Sequence, residues 1–149
     1  MAKLGGSASE EIDAPIEQVW AVVEDVLSAP KWQNGLVGME ALERDGEGRP
    51  TLVEVENDIK VRRVKSQVRF SYEAPNRLSW TQEKGDLKSV DGAWDLVDLG
   101  EGRTDATYSL DADPGRMIGM LIRGPVEGAV RSILVNGRPE ELKARVEGG

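Results

Sequence analysis

Few side chains in this sequence can do acid–base or nucleophilic work. Histidine and cysteine are both absent from its 149 residues. That excludes Ser-His and Cys-His nucleophile pairs, imidazole or thiolate metal sites, and any disulfide. No segment matches a phosphate-cradling glycine loop or a dinucleotide fingerprint. Glu54, Glu56 and Asp58 fall two residues apart and so share one strand face, an arrangement that could hold a hard cation. Val53, Val55 and Asn57 must point the other way, which sends the carboxylates to solvent and leaves no metal expected. Ser66, Tyr72 and Tyr108 remain as candidate catalytic hydroxyls, and each reads equally as a satisfied structural hydroxyl. No cofactor is expected.

The large rings point toward binding. Four tryptophans and two tyrosines accompany a single phenylalanine. Trp20 shares a helix face with Ile16, Val19 and Val23 and belongs to the core. Trp32, Trp80, Trp94 and Tyr108 are expected to line a cavity of several hundred Å³, with Ser66, Val68 and Phe70 on the inward face of one strand. On the same alternation Arg69 points outward. Met117, Ile118, Met120, Leu121 and Ile122 form an apolar patch, from which Met117, Met120 and Leu121 are expected to complete the lining. Small residues at 115, 119, 124 and 128 are read as letting the last helix approach the sheet or ligand closely. A break at Gly124-Pro125 makes residues 115–124 a candidate gate. Ordinary core packing is the plain alternative for all of these.

The elements that must hold these groups follow from periodicity and turn residues. Ser7 to Asp13 reads as an opening strand, and Pro15 suits the first position of a helix reaching about Asp25. A short second helix closes at Ser28-Ala-Pro-Lys-Trp32. Gly35 to Asp45 and Thr51 to about Asp58 pair across Gly46-Glu47-Gly48. The third strand ends either at Asn57-Asp58 or at Val61–Arg63. Val64 to Glu73 alternates cleanly, followed by Arg77–Glu83, a strand through Val90, Gly92, Trp94 and Leu96, and Thr104–Asp113. That makes seven strands. Met117 to about Val135 and Pro139 to Val146 are helical, either stopping and restarting at Asn136-Gly137-Arg138-Pro139 or continuing as one kinked helix.

Composition narrows the classes of function. The length fits one domain over residues 1–149, large enough to bury roughly two thirds of its unfolded surface. A net charge of −8 works against nucleic acid as a partner, since phosphate binding needs a basic surface. The run Lys60, Arg62, Arg63 and Lys65 is the local exception and reads as a solvated strand edge or turn. No window approaches the ~20 apolar residues of a membrane span, and no signal-peptide core is present, so a cytoplasmic address without stable membrane insertion is expected.

Three segments, in order, resemble the START-like or helix-grip superfamily, and within it the polyketide cyclase/dehydrase family. They are Ile12-Asp-Ala-Pro-Ile-Glu-Gln-Val-Trp20 with Asp25 and Trp32, then Asn76-Arg-Leu-Ser-Trp80, then Leu87-Lys-Ser-Val-Asp-Gly-Ala-Trp-Asp-Leu96. The resemblance implies an α+β helix-grip fold: a curved seven-stranded antiparallel sheet wrapped around a long C-terminal helix, with two short helices after the first strand. It also implies a small hydrophobic ligand, lipid-, polyketide- or quinone-like, bound or carried between sheet and helix. The alternatives are a cofactor-independent aromatase/cyclase or dehydrase, which would use a pocket Ser, Arg and aromatic residues, and a protein-interaction or toxin-like member of the fold. The sequence names neither the ligand nor the oligomeric state.

Overall fold

Period-two burial builds the sheet. In β7 (Arg103–Asp113), Thr104, Ala106, Tyr108 and Leu110 are buried while Asp105, Thr107 and Ser109 are more open. In β4 (Arg63–Glu73), Val64, Val68 and Phe70 turn inward and Lys65 and Ser71 outward. The computed structural model describes residues 4–60 and 62–148. Its other strands are β1 (Leu4–Ile12), β2 (Leu36–Arg44), β3 (Pro50–Asp58), β5 (Arg77–Gly85) and β6 (Ser89–Gly100). All neighbours pair antiparallel in the order β1-β7-β6-β5-β4-β3-β2, so β1 and β2 form the two edges. Register shifts in β2 and between Gln67 and Val68 bend the sheet. Of the two ends considered for the third strand, Asp58 is the observed one; Val61 lies outside the described residues.

The chain crosses between those edges through α1 (Ile16–Glu24) and a 3-10 helix (Val26–Lys31). Pro15 stands one residue earlier than expected, just outside α1, and its carbonyl accepts the Gln18 and Val19 N–H groups. Ile16, Val19, Trp20 and Val23 form the buried face of α1, each adding about 1.5–3 kcal/mol where burial is complete. Thr104, fully buried, donates its hydroxyl to the Ala14 carbonyl at 2.8 Å and fixes the turn before the helix.

After β7 come α2 (Gly115–Leu121), α3 (Pro125–Arg131), a π turn (Ser132–Asn136) and α4 (Arg138–Glu147). The break at Gly124-Pro125 is present: Gly124 adopts φ 74°, a conformation open to glycine at little cost. The stop at Asn136–Pro139 is not. Gly137 has φ −86° and ψ −10°, so the chain runs on through residues 125–147. Proline explains the change of pitch. Pro139 has no N–H for the Val135 carbonyl, and the Gly137 N–H reaches back five residues to the Ser132 carbonyl at 3.2 Å. The extra residue in that turn rotates the C-terminal end of the helix by about 100°.

The small residues do not act as expected in this segment. A methyl group at Gly124 or Gly128 would meet no atom within 4 Å, and at Gly119 it would lie 3.7 Å from Pro114. They are not close-approach sites against the sheet. Gly92 is such a site: across the β5–β6 pairing it faces Trp80, and a Cβ there would lie 2.4 Å from the indole ring. Gly92→Ala should therefore displace the Trp80 ring and destabilise the fold by about 1–3 kcal/mol. Thermal unfolding and near-ultraviolet circular dichroism read both effects. An unchanged melting temperature with an unchanged aromatic spectrum would mean the ring does not rest on Gly92.

Candidate functional site

The concave face of the sheet and the C-terminal helix enclose a cavity of about 120 Å³. It is smaller than expected because rings occupy the interior. Trp32 and Trp94 stand 6.3 Å apart, Trp94 and Tyr108 meet edge to face at 4.8 Å, Tyr108 and Trp80 at 5.6 Å, and Trp80 and Phe70 at 5.7 Å. These five rings form one continuous wall, since β4, β5, β6 and β7 are successive neighbours and each turns an aromatic residue inward. Leu134 from the π turn faces them across the cavity.

Of the residues singled out from sequence, the structure brings Trp32, Ser66, Val68, Phe70, Trp80, Trp94 and Tyr108 to the cavity. It does not bring Met117, Met120 or Leu121. Their side chains are 77%, 60% and 51% exposed, because α2 buries Ile118, and Ile122 after it, instead. No residue of 114–131 lines the cavity, so a gate formed by 115–124 has no lining role to open. Tyr72 lies beyond the end of the ring wall. Its ring is 6.2 Å from Phe70, its hydroxyl donates to the Pro50 carbonyl, and the Arg49 guanidinium sits 4.8 Å over its face. Burial pushes its hydroxyl pKa up to about 12, with the Arg49 charge opposing.

Ser66 donates its hydroxyl to Gln82 Oε1 at 2.7 Å, and Gln82 Nε2 donates in turn to the Leu87 carbonyl at 2.9 Å. The β4–β5 bulge brings this pair together. Arg69 is turned outward on Glu83 and Glu43, as the alternation requires. Glu54 and Glu56 pair with Lys65 and Arg63, at 3.9 and 3.6 Å, and Asp58 caps the Lys60 N–H. Those carboxylates and the basic run therefore answer one another on the outer face.

The cation at the cavity is one that periodicity does not reveal. Arg138 is only 2% exposed and forms part of the wall. Its Nη1 donates to the Asn34 carbonyl at 2.8 Å and to Glu141 Oε1 at 3.0 Å, while its buried Nε has no partner. Its charge also acts on the Tyr108 hydroxyl. Burial raises the Tyr108 pKa, and the charge of Arg138 opposes the rise. The one available sequence signal was Pro139, which marks an irregular turn beside Arg138. Gln33 and Asn57 also reach the wall, and Asn57 does so on the face it shares with Val53 and Val55.

The profile of the family described as polyketide cyclase / dehydrase and lipid transport matches residues 5–147. No curated protein matches the sequence. A START superfamily protein from Mycobacterium smegmatis has a similar structure, with a TM-score of 0.81, 22% identity and 97% of both chains covered. A protein from Thermus thermophilus gives 0.80 at 18% identity, covering 99% of this chain and 98% of its own. Zhui aromatase/cyclase from Streptomyces sp. R1128 gives 0.73 at 19% identity, covering 98% and 94%. At these identities the likeness establishes the helix-grip fold.

The alkaline limb of stability tests the Tyr72 hydroxyl. An unfolded tyrosine ionises near 10 and folded Tyr72 near 12, so between those values the unfolded chain has lost a proton the folded one keeps. Stability is therefore unaffected by Tyr72 below about pH 10 and falls as pH rises toward 12. Tyr72→Phe should flatten that limb in urea unfolding midpoints taken across the range. An identical slope in variant and parent would contradict the buried, protonated hydroxyl.

Proposed function

The chain belongs to the polyketide cyclase/dehydrase and lipid transport family, and we propose that within it this protein binds or carries a small, mainly apolar molecule without transforming it. The observation that carries this reading is the wall itself: five rings and aliphatic side chains around a cavity of about 120 Å³, with its serine already donating to Gln82. A carrier needs apolar walls and one orienting polar group. An enzyme needs at least two polar groups converging on the reacting atoms. Ser66, Tyr108 and Arg138 do share the wall, which keeps cyclase chemistry as the second reading. Arg69 does not help it, because its guanidinium is bound outside the sheet to Glu83 and Glu43.

Isopropylbenzene, a probe with no polar atom, should raise the melting temperature through binding to the folded state alone. Val68→Phe fills part of the cavity from its wall and should abolish that rise while the circular dichroism spectrum is kept. Native mass spectrometry of the protein as purified should show a co-purifying molecule, released on denaturation. Turnover of a poly-ketone substrate that Ser66→Ala abolishes, with the fold intact, would replace carriage with catalysis.

A further inference from the structure

Resting on the binding reading above, we infer that the ligand carries a neutral carbonyl oxygen at the end that meets Arg138 and Tyr108, and that a carboxylate of the same shape is disfavoured. Among the described residues the guanidinium is the charged group of the wall, whose other polar members are Gln33, Asn57, Ser66 and Tyr108. Its buried Nε donor is unpartnered, and a buried donor without an acceptor destabilises by more than an ordinary hydrogen bond contributes. Tyr108 lines the same cavity and offers its hydroxyl as a second donor. Both groups therefore favour an acceptor on whatever fills the cavity.

The charge of Arg138 is already met. Glu141 Oε1 lies 3.0 Å from its Nη1, and Glu141 Oε2 accepts the Asn34 N–H at 2.9 Å, which holds the carboxylate in place. The Arg138 side chain is 3% exposed and that of Glu141 is 23% exposed. A ligand carboxylate would lose its hydration on entering and then face Glu141 as well as Arg138. A carbonyl accepts from the same donors without bringing a second negative charge. Arg138 follows the π turn closely, at the start of α4, and is buried there.

Three single-ring probes of matched size separate these terms: acetophenone, isopropylbenzene and benzoate, titrated against the full chain by calorimetry at neutral pH. Acetophenone should bind about tenfold or more tightly than isopropylbenzene, the scale of one hydrogen bond to a charged group. Benzoate should bind more weakly than acetophenone. Arg138→Met should remove the acetophenone preference. Tyr108→Phe, which leaves the Asn34 and Glu141 contacts untouched, should reduce it and guards against loss of fold in the first variant. Glu141→Gln should improve benzoate relative to acetophenone. Equal binding of acetophenone and isopropylbenzene overturns this inference and leaves the carrier reading standing. Benzoate binding tightest overturns the preference for a neutral group. Binding of none of the three overturns the carrier reading and this inference with it.

Discussion

Four hydrogen bonds tie α4 to the two edges of a sheet that cannot close on itself. At the β1 edge, Lys143 donates to the Glu11 carbonyl and the Asp13 N–H donates to Glu147. At the approach to β2, Arg138 donates to the Asn34 carbonyl and the Asn34 N–H donates to Glu141. β1 and β2 are the two edges of the sheet and do not pair with each other, so the helix supplies the link between them. Fully buried Leu142 and nearly buried Val146 add the apolar contact. Lys143 and the Asp13 N–H hold the Glu147 carboxyl below its ordinary range, so acid weakens this tie only below that range. With the helix held at both edges, the space between it and the curved sheet becomes a cavity.

How much space remains is decided by the rings. Strand neighbours β4 to β7 each contribute at least one aromatic side chain to the concave face, and Trp32 joins from the end of the 3-10 helix. Edge-to-face and tilted contacts between 4.8 and 6.3 Å hold them as one surface. Gly92 leaves the place in which Trp80 lies. The rings take up volume that smaller side chains would leave open, and in exchange they present a continuous aromatic wall. Ser66, on the same wall, has its proton committed to Gln82.

Polar residues at the cavity are thus structural as well as chemical. Arg138 anchors the helix through Asn34 and at the same time supplies the donor on the wall. Replacing it alters closure and recognition together, which is why Tyr108, with no part in the edge contacts, separates the two. The exposed side chains of Met117, Met120 and Leu121 belong to a different surface, turned away from the cavity by the burial of Ile118 and Ile122.

Most of the strands, their inward faces and the order of the elements were legible in the sequence, because β periodicity is local: each residue's face follows from its neighbour's. Val64 to Tyr72 needed only that rule to place Ser66, Val68 and Phe70 inward and Arg69 outward. The absence of histidine and cysteine likewise excluded whole classes of chemistry before any fold was known. The C-terminal helix was legible as a helix, but not in its phase. A patch of five apolar residues cannot say which of them meets the sheet, and a proline cannot say how the chain will accommodate it. Tertiary structure made those choices. The π turn before Pro139 shifted the helix by about 100°, Arg138 beside it was buried, and the summed volume of the rings, which no single strand encodes, set the size of the cavity.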